Sequence, residues 1–139
     1  MTATVALDRL GVPAAAIESG IREARWPGRL ERVAANPDIF LDGAHNPAGA
    51  RALARYIERF HGGRRVWLIY AAMRDKAVAE MAGILFPLAS EVILTAPAQP
   101  RAVRPEAMRE LVDHPRVQVA PKLAEALAWI NTRILLGLV

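Results

Sequence analysis

A chain of 139 residues is long enough for one domain with its own core and too short for two. A hydrophobic content of 53% excludes a disordered tail, and the absence of cysteine excludes disulfides, thiol catalysis and cysteine-rich zinc sites. The net charge of +4 comes from 18 basic residues against 14 acids, but the arginines are scattered beside acids, as in "RALARYIERF". The few aromatics do not interleave with them, so nucleic-acid binding is not expected.

The N-terminal stretch "MTATVALDRLG" has no basic start, and Asp8 and Arg9 interrupt its apolar residues, which argues against a signal peptide. No apolar run is long enough to span a bilayer, and a cytoplasmic protein is expected. "VPAAAIESGIREA" predicts a helix with Ile17, Ile21 and Ala24 on one face, stopped by Trp26-Pro27-Gly28. "RLERVA" reads as a short strand, "NPD" at 36–38 as a turn and "IFLD" as an apolar strand ending at Asp42. "PAGARALARYIERF" is an amphipathic helix, with Ala50, Leu53, Ala54 and Ile57 at i, i+3, i+4 and i+7.

Glycines in "HGGRR" end that helix, and "VWLIYAAM" follows as a buried strand. "DKAVAEMAGILF" predicts a helix with Val78, Met81, Ala82 and Leu85 on one stripe, closed by Pro87. "EVILTA" is another buried strand, "PAQPRAVRPEAM" a loop that becomes helix near Pro105, "VQVA" a strand and "PKLAEALAWI" a helix. "RILLGLV" reads as a last strand, and the tryptophans read as core. Continuous apolar strands between amphipathic helices predict an α/β fold: a Rossmann-like, mainly parallel sheet with helices on both faces.

Such sheets bind ligands beyond the carboxyl ends of their strands. Three turns after strands are therefore candidates: Asp42 to Asn46, "AAMRD" and "TAPAQPR". Asp42 either accepts hydrogen bonds from vicinal hydroxyls, as on a ribose, or accepts backbone N–H groups of its turn. His45 could ligate a metal, act as a base or bond to the backbone, but no third ligand and no serine or threonine nucleophile stands nearby. Asn46 can cap the helix with Pro47 in its first position, and a capped helix N-terminus is an anion site.

Arg29, after the turn in "WPGRLE", could clamp a phosphate or pair with Glu31. Thr95, Gln99, Arg101 and Arg104 sit in the third loop, where Arg101 could bind a carboxylate or remain solvated. The phosphate loop G-x-x-x-x-G-K-[ST] and the dinucleotide pattern G-x-G-x-x-G are both missing.

"WPGRLERV" followed by "IFLDGAHNPAGARAL", with "AAMRDKA" and "ILTAPAQPRAVRPEAM" in order, resembles the C-terminal domain of the folylpolyglutamate synthase and dihydrofolate synthase family of the Mur ligase superfamily. The resemblance implies one Mur-ligase-type domain over 1–139: residues 1–25 as a helical lead-in, 26–139 as the Rossmann-like body with an antiparallel edge strand at "RLERV", and the N-terminal ATPase domain absent. It implies ATP-dependent amide formation, in which a carboxylate of dihydropteroate or folate becomes an acyl phosphate and is attacked by glutamate. ATP and its Mg2+ would be held mainly by the absent ATPase domain, the partner of this chain.

By the same resemblance Asp42 would contact the ribose, Arg29 the phosphates, and His45 and Asn46 would line the nucleotide side. Thr95 and Arg101 would face the acceptor. No residue here is implied to be catalytic or to bind metal, and the chain alone is expected to be inactive. The alternative is a stand-alone nucleotide-binding or regulatory module derived from such a ligase. Two departures stand out: Asp75-Lys76-Ala77 replaces the family's Asp-Lys-Asp, and the C-terminus is short.

Overall fold

A computed structural model describes residues 2–74, 76–111 and 113–135. They divide into two compact units, Met1–Asp42 and Gly43–Val139. The boundary falls inside the "LDGAHNP" motif.

In the first unit, helices α1 (Thr2–Arg9) and α2 (Ala14–Glu23) precede an antiparallel pair, β1 (Glu31–Ala34) and β2 (Ile39–Leu41). Asn36 takes φ 61° in the connecting turn, a left-handed conformation that asparagine tolerates, and an ion pair between Arg32 and Asp38 spans the same hairpin. Among the described residues β1 and β2 pair only with each other, so the expected antiparallel strand is present as half of a separate hairpin. Of the apolar face expected on α2, Ile17 alone is buried. Ile21 is 62% exposed and Trp26, beyond the helix, is 76% exposed, so neither belongs to the core of this unit.

The second unit runs α3 (Pro47–His61), β3 (Trp67–Tyr70), α4 (Val78–Leu85), a 3₁₀ turn (Phe86–Leu88), β4 (Glu91–Leu94), α5 (Pro105–Glu110), β5 (Val117–Val119) and α6 (Leu123–Leu135). Strands β3, β4 and β5 form a parallel sheet in that order. Every residue of the central strand is buried, which is why "EVIL" is an unbroken apolar run after its first residue.

Successive side chains of a strand point to opposite faces. Val92 and Leu94 join one core with Ala50 and Ala54 of α3, Met81 and Leu85 of α4 and Met108 of α5. Ile93 joins the other with Ala120 and Ala126, packed against Trp67, Ile69, Trp129 and Ile130. Helices thus cover both faces, as expected of a Rossmann-like α/β fold. Full burial of Ile93, Leu94 and Val92 contributes about 1.5–3 kcal/mol each. The stripe expected on α4 is intact, since Val78, Met81, Ala82 and Leu85 are all buried.

The expected final strand does not form where it can be seen. Arg133, Ile134 and Leu135 continue α6, and residues 136–139 lie outside the described residues. The reason is visible in the packing: Arg133 sits one helical turn beyond Trp129, with its guanidinium 4.8 Å from that indole and 5.5 Å from Trp67.

Candidate functional site

In the first unit, Asp42 follows β2 directly and its Oδ2 accepts the Leu30 N–H at 2.9 Å. Leu30 has φ 48° and Gly28 has φ 67°, and the Gly28 N–H donates to Glu31 Oε2 at 2.8 Å. Two carboxylates therefore brace the left-handed turn that presents Arg29. Asp42 fills the turn-stabilising role that its position allowed. Glu31 is committed to the turn by its bond to Gly28.

In the second unit, Asn46 caps α3 as its residue type demands. Its Oδ1 accepts the Gly49 N–H at 2.8 Å, and Pro47 occupies the first turn. His45 Nδ1 lies 2.8 Å from the Gly43 carbonyl oxygen. A carbonyl only accepts, so Nδ1 carries the proton and neutral His45 keeps its lone pair on Nε2.

A cavity of about 110 Å³ opens beside this turn. Ala44 and His45 line one side. Ala71, Ala72 and Met73 beyond β3, Lys76 and Met81 before and on α4, and Pro97 beyond β4 line the rest. It therefore lies past the carboxyl ends of two parallel strands, where the topology rule places ligands. Its volume suits a small group such as a carboxylate with its methylenes. A whole nucleotide needs several hundred Å³. Lys76 is a wall residue that the sequence reading left as the start of a helix. Its signal was position: a lysine in the first loop after a buried parallel strand.

Thr95 and Arg101 share a loop but not an environment. Thr95 is 4% exposed; its N–H donates to the Tyr70 carbonyl at 2.9 Å, and its Oγ1 has no partner among the described residues. Arg101 is exposed. The loop is tied back to the β3–α4 connection by an isolated antiparallel bridge between Met73 and Ala102, with Arg74 N–H donating to the Arg101 carbonyl and Val103 N–H to that of Ala72, both at 2.9 Å. Among the described residues no group of three histidine, aspartate or glutamate side chains could hold a metal ion, and no helix is long and apolar enough to cross a membrane.

An α/β unit whose cavity lies past the carboxyl edge of a parallel sheet, beside the Ala44-His45 turn that leads into α3, has the Rossmann-like arrangement that binds ligands there. Residues 28–135 match the family described as Mur ligase, glutamate ligase domain, and the chain belongs to that family. It corresponds to the C-terminal domain of the folylpolyglutamate and dihydrofolate synthases.

It is 37% identical over 128 residues to a probable bifunctional folylpolyglutamate synthase/dihydropteroate synthase of Haloferax volcanii, a match covering 90% of this chain and 15% of that protein. It is 34% identical over 116 residues to a dihydrofolate synthase/folylpolyglutamate synthase of Mycobacterium tuberculosis, covering 81% of this chain and 24% of that one. The Mycobacterium tuberculosis folylpolyglutamate synthase structure complexed with ADP superposes with a TM-score of 0.80 at 31% identity, over 86% of this chain and 28% of that one. The chain thus spans between 15% and 28% of the length of these relatives.

Proposed function

We propose that this chain is the C-terminal domain of an ATP-dependent ligase that joins glutamate to dihydropteroate or a folate. The observation that carries the reading is the "LDGAHNP" turn. It carries an acid after β2 and, in the second unit, a histidine that lines the cavity beyond β3 and β4, one residue before the Asn46 cap of α3. The domain unit is 26–139 with 1–25 as its lead-in, and the location is cytoplasmic.

ATP with its Mg2+ would supply the phosphoryl group that activates the acceptor carboxylate. The residues here fit one side of such a site, since a 110 Å³ cavity cannot enclose a nucleotide. Asp42 would accept from the ribose hydroxyls and Arg29 would reach phosphate. Asn46 holds the α3 terminus whose unpaired N–H groups favour an anion, with His45 beside it on the nucleotide side. Thr95 and Arg101 would serve the acceptor. The partner is the ATPase domain that the longer relatives have room for.

The test is binding and turnover by the purified chain. ATP is expected to bind weakly, and ADP release with dihydropteroate and glutamate is expected to be undetectable. Turnover by the chain alone would overturn the dependence on a partner domain. Undetectable ATP binding at millimolar nucleotide would overturn the nucleotide-side roles.

A further inference from the structure

Residues 51–65, "RALARYIERFHGGRR", carry five arginines and a single acid, Glu58, so the net charge of +4 for the whole chain resides in this one segment. Arg51, Arg55 and Arg59 recur at every fourth residue of α3 and form one stripe, rising about 6 Å per step. All five arginines are exposed. Arg51 pairs with Glu80 of α4 at 3.1 Å, which closes one end of the stripe. Arg55 has no ion pair or hydrogen bond among the described residues, and Glu58 pairs with none of the arginines. Beyond the helix Gly63 takes φ 81°, and the Arg64 N–H donates to the His61 carbonyl at 3.0 Å. That turn keeps Arg64 and Arg65 at the end of the helix that carries the stripe.

Folding does not call for this arrangement. The dipole of α3 favours cations in its last turn, which accounts for Arg59 and His61. Arg55 lies further back, and like charges four residues apart on a helix destabilise it. Phe60 is equally unexplained by the core. It is 57% exposed, its ring centroid 4.8 Å from that of Tyr56, with the Arg59 guanidinium 5.2 Å away over the ring. Arginine and aromatic therefore alternate on this helix, as Arg55-Tyr56 and Arg59-Phe60, which corrects the expectation drawn from the scatter of arginines along the whole chain.

An exposed ring among guanidiniums suits one kind of polyanion. In a single strand of nucleic acid the phosphates meet the cations and a base stacks on the ring. A bilayer suits the surface less, because an interfacial helix needs a broad apolar face and α3 turns its own, with Ala50 and Ala54, into the core. We propose that α3 and the turn after it form a docking surface for single-stranded nucleic acid, with Arg55, Arg59, Arg64 and Arg65 toward phosphates and Phe60 under a base. The proposal is independent of the ligase reading.

The experiment is fluorescence anisotropy of labelled oligouridylate and oligodeoxythymidylate, each of roughly twelve nucleotides, titrated with the purified chain. Both are expected to bind, since phosphates and base faces are common to them. Four phosphate contacts predict an affinity that falls about fiftyfold between about 50 and about 200 mM salt. Arg55→Ala and Arg59→Ala are each expected to lower the slope of log affinity against log salt by about 0.7. Phe60→Ala is expected to weaken binding about tenfold with the slope unchanged. Phe60→Leu, which keeps an apolar side chain without a ring, is expected to do the same, so the test stands if Phe60→Ala unfolds.

Absence of binding at about 50 mM salt overturns the proposal, as does binding indifferent to these substitutions. Polyglutamate of equal charge and vesicles of anionic phospholipid are the competing polyanions. Either one bound as tightly as the oligonucleotides overturns the assignment to nucleic acid. The arginine variants are expected to keep the parent's ATP affinity, because none of these residues lines the cavity. A matching loss of ATP affinity would make the stripe part of the nucleotide site and overturn the docking surface.

Discussion

Asp42 shows how one carboxylate serves a fold and a site together. Its Oδ2 holds the N–H of Leu30, a non-glycine residue at φ 48°, so removing the side chain frees a strained turn. Asp42→Ala is expected to cost about 1 kcal/mol, read as a lower melting temperature. Asp42→Asn keeps a neutral acceptor oxygen for Leu30 and removes the charge. It is expected to melt close to the parent chain while binding ATP more weakly. Equal ATP affinity in Asp42→Asn and the parent would confine this acid to the turn.

Tyr70 is the opposite case, a buried phenol with no hydrogen-bonding partner for its hydroxyl among the described residues. Burial pushes its pKa from 10.0 up to about 12. Between those values the unfolded chain has lost the proton and the folded chain still holds it, so stability falls as pH rises from about 10 to 12. Ultraviolet titration should show the Tyr70 phenolate near pH 12 and melts should show the decline. Tyr70→Phe removes the decline and is expected to match or exceed the parent's stability at neutral pH, because no bond is lost with the hydroxyl.

Among the elements, α6 depends on one side chain. The Arg133 guanidinium lies near the rings of Trp67 and Trp129, whose centroids are 5.3 Å apart, and its Nη2 reaches Oε1 of the buried Glu91 at 3.3 Å. Arg133→Ala strips Glu91 of that partner and both indoles of a cation, an expected loss of about 2–3 kcal/mol measurable by denaturant unfolding. Arg133→Lys keeps the charge without the planar fork and is expected to recover only part of it. At the other end of the sheet, Asn46→Ala should cost about 1 kcal/mol and speed amide exchange in the first turn of α3, where Gly49 loses its acceptor.

At the scale of the second unit, the parallel sheet has its cavity and the Met73–Ala102 bridge beyond the carboxyl ends of β3 and β4. The cavity holds about 110 Å³, and the chain spans 24% of the length of its Mycobacterium tuberculosis relative. Phosphoryl transfer depends on positioning and charge stabilisation around the whole transferring group. On the ligase reading proposed above, supplying a separate ATPase domain is expected to raise glutamate ligation from nothing to a measurable rate. An active chain without it would be the contrary result.

Local order was legible in the residues themselves. The 3.6-residue stripes on α3 and α4, the apolar run of β4, the Asn46-Pro47 cap and the "LDGAHNP" turn follow from side-chain periodicity and backbone preference, which act over a few residues. Strand partners were not legible, because pairing is decided by what lies alongside in space. "IFL" read as one more strand of the parallel sheet and instead pairs with "ERVA" in a hairpin of its own. The tail read as a strand because branched apolar residues favour either state, and the Trp129–Arg133–Glu91 packing settled its described part, Arg133 to Leu135, as helix. The same holds for the site: the sequence named Asp42, His45 and Arg101 singly, but the tertiary structure alone brought Lys76 to the cavity and bridged Met73 to Ala102, since those contacts join loops distant along the chain.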